Sequence, residues 1–354
     1  MPLIAHSDLP TFQRLREEGE EIVDAERASH QEIREIHIGL LNMMPDAALE
    51  ATERQFFRLV GACNQIAQFH VHPFTIEGLQ RSPEAQAHID KYYEPFSKIK
   101  AEGLDALIIS GANVTGDFLP NEDFWLPLTE VFSWAKENVT SILCSCLATH
   151  AIIHYCHGLA RTRLPEKRWG VFSHTLVDRT HPLVIEINTR FDVPHSRFNE
   201  IFQNDMEKFG LRVLAASTDA GVHLATSEDG FRIVFFQGHP EYDDVSLLKE
   251  YKREVLRFYR SEIADYPPYP EHYFNDEVIT IFADYAQKVV AAKLNHQPFP
   301  DFPEALVCKY LDVTWRDTAK AVFNNWLGKI YQITHQDRRI PFMEGINPKN
   351  PLNL

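Results

Sequence analysis

No stretch of the 354-residue chain approaches the roughly 18 to 20 consecutive apolar residues that span a bilayer, so no transmembrane helix is expected. The opening MPLIAHSDLP does not set a basic segment before an apolar one, so no secretory leader is expected and the protein reads as cytoplasmic. Positive charge is scarce: 35 Lys and Arg against 50 Asp and Glu give a formal net charge of -15. Nonspecific binding to nucleic acid or to an anionic membrane needs a cationic surface, so neither is expected as a partner. An anionic small substrate must then meet a local basic patch. Cysteine is scarce too. Cys63, Cys144, Cys146, Cys156 and Cys308 are an odd number at irregular spacings, which argues against a disulfide framework and for a reducing compartment. Any special cysteine should be special chemically. Internal repeats and low-complexity tracts are absent.

What is present is an ordinary globular composition, long enough for a full core. The stretch 1–35 is polar, with a helical run in LPTFQRLREEGEEIV, and reads as an arm on the main domain. From residue 36 short apolar segments alternate with amphipathic ones. IHIGLLN, FHVHPFTI, LDALIIS and TSILC read as strands, with helices over 50–63 and 123–136 and another from about Leu147. Later strands are expected at LVIEI, RVLAAS, GVHLATS and FRIVFFQ, followed by a helix in DVSLLKEYKREVLRFYR. This pattern indicates an α/β fold, a mostly parallel sheet with helices on both faces, over 36–265. YPPYP at 266–270 breaks regular structure and opens a helical appendage over 266–354, with helices near 278–294 and 317–333.

In open parallel sheets reactive groups gather beyond the carboxyl ends of the strands. Three places qualify: Gly111 after LDALIIS, Cys146 after TSILC, and GHPEYD after RIVFFQ. A cysteine at a sharp strand-to-helix turn exposes its sulfur, and the helix N-terminus favours the thiolate. Backbone N–H groups at that turn and at Gly111 and Ala112 are suited to an oxyanion. His239 is then the candidate base and Glu241 the group that orients it. The bland alternatives stay open at this point: Cys146 as a small buried core residue, and His239 and Glu241 as a polar loop. Cys144, Cys146, His150 and His154 also admit reading as zinc ligands, but C-x-C across a tight turn fits no common structural zinc site, so no metal is expected and Cys144 should pack in the sheet. RTRLPEKRWG brings Arg161, Arg163, Lys167 and Arg168 together as a candidate phosphate or carboxylate patch, with a solvated basic loop as its alternative. VPHSR adds a hydroxyl and a guanidinium at Ser196 and Arg197.

Taken in order, RASHQEIREIHIGLLNMMP, LDALIISGANV, FSWAKENVTSILCSC, LPEKRWGVFSH, VPHSRFNE, GHPEYD and VTWRDTAKAVFNNWLGKIYQ resemble the homoserine O-acyltransferases of methionine biosynthesis, built on the class I glutamine amidotransferase (flavodoxin-like) fold. The resemblance covers nearly the whole chain. It implies an acyl-thioester on Cys146, His239 as general base and Glu241 as third catalytic member, and it sets Lys167, Ser196 and Arg253 at substrate-binding positions, Arg253 suited to gripping a carboxylate. It further implies acyl-CoA and L-homoserine as substrates, no separate cofactor, and a homodimer as the candidate assembly.

The chain departs from the family pattern in places. LATHA follows the nucleophile where typical members carry an aromatic residue and a glutamine, so Leu147 and His150 are expected to reshape the pocket floor. Asp46 or Ala47 stands where a basic residue is usual after LNMMP, and roughly 277–307 is inserted. Acyl choice in the family goes with the loop after LDALIIS, glutamate with acetyl and glycine with succinyl; Thr115 falls there, beside Gly116, and lacks the charge that would repel a succinyl carboxylate. Succinyl is the expected acyl group. The rival readings are an acetyl donor, a serine acceptor, a glutamine amidotransferase-like hydrolase on the same scaffold, and a non-catalytic binding protein.

Overall fold

The computed structural model describes residues 3–20, 22–26, 33–63, 67–114 and 116–354. Among them eleven strands form one sheet: β1 (Leu3–Ala5), β2 (Ile22–Asp24), β3 (Glu35–Leu41), β4 (Gln68–Phe74), β5 (Ala106–Ile109), β6 (Ser141–Ser145), β7 (Thr162–Leu176), β8 (Arg190–Glu200), β9 (Arg212–Ser217), β10 (Gly221–Thr226) and β11 (Ile233–Phe236). Their order is β2-β1-β4-β3-β5-β6-β11-β10-β9-β7-β8. The first seven run parallel, and the last four continue the sheet antiparallel. The parallel strands are mainly apolar because both faces are covered, with Glu35, His37, Gln68, His70 and His72 as polar exceptions in β3 and β4. Alternation divides them cleanly. Ile38, Leu40, Phe69, Val71 and Leu143 face one core with helices Leu49–Gly61 and Arg316–Ile333, while Leu41, Phe74, Leu107, Ile109, Ile142 and Cys144 face a second with helices Trp125–Asn138 and Leu147–His157. A mostly parallel sheet with a core on each face is the architecture expected from the sequence.

Differences are local. The opening stretch does more than lie on the domain: β1 and β2 extend the sheet's edge, and Leu9, Phe12 and Leu15 of the stretch join the first core. LVIEI is not a strand. Pro182–Val184 is a 3-10 turn, its Leu183 and Val184 plug the first core, and Asn325 Nδ2 takes the carbonyls of Leu183 and Ile185 at 3.2 and 2.8 Å in place of a ladder. The basic stretch expected as a loop belongs to β7, paired with β8 through a bulge between Arg163 and Arg168. Gly170 in this strand is required by close approach, since a Cβ there would lie 2.2 Å from Glu271 O. That contact ties the sheet to the C-terminal region, where helix Asp276–Leu294 packs on helix Ser246–Tyr259 in a third cluster with Trp169 and Trp315. No helix among the described residues is long and apolar enough to cross a membrane.

Candidate active site

Cys146 stands where β6 turns into helix Leu147–His157, with φ 52° and ψ -108°. A non-glycine residue in that region costs roughly 1–3 kcal/mol and persists only where its surroundings over-determine it. Here they do. Cys146 N–H donates to Phe236 O at 2.7 Å, and the Thr149 hydroxyl, 2.9 Å from both Cys144 O and Phe236 O, pins the helix start to β6 and β11. Gly111 lies against the turn: a Cβ placed on it would meet the Cys146 Cβ at 3.6 Å. Cys144, two residues earlier, points into the second core, fully buried, and burial pushes its thiol pKa well up. Cys146 keeps partial exposure.

His239 follows β11 across the sheet from Cys146. Its Nδ1–H donates to Glu241 Oε1 at 2.8 Å, and the Ser145 hydroxyl approaches the same oxygen at 3.3 Å. Among the described residues Nε2 has no well-aligned hydrogen-bond partner, although the Cys146 sulfur is close enough to act on it. Burial opposes charge on the ring, but Cys146 and Glu241 together outweigh it and hold the imidazolium pKa well above its ordinary value. The Tyr242 ring stacks on His239 with centroids 4.3 Å apart and planes 18° apart. The three residues named from the sequence are therefore brought together, with Nε2 as the one ring nitrogen free to exchange a proton.

The loop that carries His239 is held from three sides. His239 N–H donates to Pro194 O at 2.7 Å, and Trp315 Nε1 donates to Tyr242 O at 2.9 Å. Asp243 receives Arg54 at 2.6 Å and also Arg58, both from helix Leu49–Gly61. Gly238 permits the turn to sit on β8, since a Cβ would come within 2.6 Å of Val193 and 2.8 Å of His195 Nε2.

Lys167 and Ser196 meet at a residue the sequence reading missed. Glu250 Oε2 accepts from Ser196 at 2.6 Å and from Lys167 at 3.0 Å, and Oε1 accepts from the Tyr242 hydroxyl at 2.9 Å. Burial would raise the Glu250 pKa; Lys167, Ser196 and Tyr242 outweigh it and keep the group ionised. In the sequence Glu250 is one of several charged residues on an amphipathic helix, and nothing marks it apart from Glu254. Arg253 lies one turn further along the same helix, its side chain 55% exposed and 3.6 Å from Glu254. It is not drawn into the Glu250 cluster.

The basic group of β7 does not converge on one ligand. Arg163 is exposed beside Asp117, Lys167 turns to Glu250, and Arg168 lies over Phe172. Of this group Arg161 alone turns toward Cys146: its Nη2 donates to Gly116 O at 2.8 Å, it is close enough to Cys146 to interact with it, and its buried Nε has no partner among the described residues. Thr115 lies outside the described residues. Arg197 is buried and engaged with His195, Asn199, Glu200 and Ala220, a framework role. Leu147 and His150 sit beneath the turn instead of lining its open side: Leu147 joins the second core, and His150 Nε2 lies 2.9 Å from Gln237 Oε1. At the LNMMP segment Asp46 accepts the Ser82 N–H at 2.7 Å, and a cation from elsewhere is present, since Arg81 donates to Met44 O at 2.5 Å.

Comparison with known proteins places this geometry in a family. A family model described as homoserine O-succinyltransferase matches residues 2–336. A homoserine O-succinyltransferase of Methylobacter tundripaludum is 77% identical over 354 residues, and one of Methylococcus capsulatus is 67% identical over 354, each covering 100% of both chains. Among solved structures, a glutamine amidotransferase from Thermotoga maritima superposes with a TM-score of 0.44 at 9% identity, over 85% of this chain and 99% of that one. The chain belongs to the homoserine O-succinyltransferase family.

Proposed function

We propose that this protein transfers a succinyl group from succinyl-CoA to the hydroxyl of L-homoserine through a thioester on Cys146, a step of methionine biosynthesis, with acyl-CoA serving as substrate and not as cofactor. The observation that carries the mechanism is the placing of His239 beside Cys146 with its other nitrogen held by Glu241 at 2.8 Å. The thiolate attacks the acyl carbonyl, the bond to the CoA sulfur breaks, and His239 Nε2–H gives its proton to the departing CoA thiolate. Neutral His239 then takes the proton of the homoserine hydroxyl as that oxygen attacks the thioester, and Cys146 leaves as thiolate. With the Cys146 N–H given to Phe236 O, the N–H groups of Leu147 at the helix start and of Gly111 and Ala112 are suited to the oxyanion of both steps.

Homoserine is a zwitterion, and the helix that carries Glu250 offers both signs, Glu250 buried in the cluster beside Tyr242 and Arg253 more exposed outside it. Glu250 is suited to its ammonium group and Arg253, three residues on, to its carboxylate, with Lys167 and Ser196 setting the position of Glu250. Arg161, whose buried Nε–H has no partner among the described residues, is suited to the free carboxylate of the succinyl group.

The test is intact-mass and peptide analysis after mixing with succinyl-CoA and no acceptor. A succinyl adduct on Cys146 that L-homoserine discharges is expected; no adduct, or one on another residue, would overturn the assignment.

A further inference from the structure

Four histidines gather on β1, β4 and β3, a part of the sheet the acyl transfer does not use. His70 and His72 share one face of β4, and the parallel register sets His37 of β3 directly beside His70, rings stacked at 4.7 Å. Leu3 pairs with Phe69, so the same register carried three residues on brings His6 beside His72, their centroids 4.9 Å apart. Glu94 closes the group, with Oε1 2.8 Å from His72 Nδ1. Two strands, β3 and β5, separate β4 from the strand that ends at Cys146, about 14 Å at the usual spacing.

The geometry points to a site for one divalent transition-metal ion of the zinc class, bound by His6, His72 and Glu94. One ligand atom from each of the three lies within 4.8 Å of the others. Two imidazoles and a carboxylate form a donor set that zinc, nickel, copper and cobalt accept.

The hydrogen bonds around the triad prepare its donor atoms. His6 Nδ1 lies 3.1 Å from Ile4 O; a carbonyl only accepts, so Nδ1 carries the proton and Nε2 offers its lone pair. His72 Nδ1–H faces Glu94, and His72 Nε2 accepts from His37 Nδ1 at 2.8 Å. His37 Nε2 in turn accepts from Arg338 at 3.2 Å. If a metal takes His72 Nδ1, that proton must move, and the chain can reverse without losing one. His72 then holds its proton on Nε2 and donates to His37 Nδ1, and His37 holds its proton on Nε2, where Glu35 Oε2 already lies 3.2 Å away. Both ends of the relay exist: Arg338 suits the empty direction and Glu35 the loaded one. Such second-shell partners orient ligating histidines and raise their basicity. An opposing charge at the triad, Lys98, pairs with the other Glu94 oxygen at 3.1 Å and is about half exposed, so it can turn away.

The second triad, Glu35, His37 and His70, is less suited because Arg338 already occupies the lone pair of His37. The chosen triad needs no catalytic residue, and its occupancy is separable from acyl transfer.

The test uses the full-length protein after dialysis against chelator. Titration with Zn2+ by calorimetry is expected to show one tight equivalent, and Co2+ should give visible d–d bands without a thiolate charge-transfer band. His6→Ala and Glu94→Gln, each checked for a native circular-dichroism spectrum and for succinyl transfer, should weaken binding by about 10–100-fold. Should one variant fail to fold, the other and the wild-type cobalt spectrum decide. No stoichiometric uptake in the micromolar range overturns the proposal. So does binding unchanged in a folded variant, or a charge-transfer band that Cys146→Ser removes.

Discussion

Tyr242 is joined to Glu250 by a hydrogen bond of 2.9 Å from its hydroxyl, while its ring stacks on His239 at 4.3 Å. The residue that packs on the proposed base is thus tied to the group that gathers Lys167 and Ser196. Glu250→Gln keeps the shape and removes the charge. The KM for homoserine should rise by about tenfold or more, the scale of one lost charge-assisted hydrogen bond, while succinylation of Cys146 by succinyl-CoA alone stays within about threefold. Steady-state kinetics and single-turnover acylation separate the two, and an unchanged KM would remove Glu250 from the acceptor pocket.

The two cysteines of β6 and its turn offer a sharp contrast. Cys144 is sealed in the second core with its thiol pKa raised by burial, and Cys146 sits on the strained turn with partial exposure. Cys146→Ser should lose acyl transfer nearly completely, whereas Cys144→Ser should retain most of it and lose some stability, about 1 kcal/mol for a buried hydroxyl in an apolar site. Equal loss of activity in two folded variants would refute the assignment.

Donor choice should respond to Arg161. Its guanidinium donates to Gly116 O and lies close enough to Cys146 to interact with it. Arg161→Ala is expected to lower kcat/KM for succinyl-CoA by about 10–100-fold, matching a lost charged hydrogen bond, and to spare acetyl-CoA. Thr115→Glu should move the ratio in the same direction, because a carboxylate there would repel the succinyl carboxylate. If both donors fall together in Arg161→Ala, the guanidinium serves the loop and not the acyl group.

Asp243 supplies a pH-dependent prediction. Burial would raise its pKa, but Arg58 and Arg54 outweigh that and hold it below the usual carboxylate range. A carboxyl whose folded pKa is depressed gives stability that is present above the unfolded value and lost as pH falls through the folded one. Asp243→Asn should therefore cost about 3 kcal/mol at pH 7, because it takes the shared buried anion from two largely buried guanidiniums, which keep Glu18 and, for Arg58, a longer contact to Glu20 at 3.9 Å. The difference between wild type and variant should begin to shrink below about pH 4, where the carboxyl of the unfolded chain takes up its proton, and go on shrinking as pH falls toward the lower folded value. Denaturant titrations of both proteins at several pH values measure it, and a difference constant down to pH 3 would contradict the pairing.

The sequence by itself determined the parallel α/β frame and the three places where chemistry gathers. Both follow from short-range rules: apolar runs of strand length between amphipathic helices, and a cysteine, a glycine and a histidine each at a strand's end. It also separated Cys146 from Cys144, since a residue within a strand and one just past it meet different surroundings. Only the tertiary structure decided what depends on contacts far apart in the chain. Glu250 became the hub of a buried polar cluster because β7, β8 and the loop after β11 bring Lys167, Ser196 and Tyr242 to it, and no local pattern encodes that convergence. LVIEI alternates like a strand yet forms a 3-10 turn, because Asn325, about 140 residues away, satisfies its carbonyls. The basic run of β7 reads as one patch, but a pleated strand sends neighbouring side chains to opposite faces and a bulge shifts the register, so only Arg161 turns to the nucleophile. The histidines of β1, β3 and β4 lie far apart in the chain, and sheet register alone makes them neighbours.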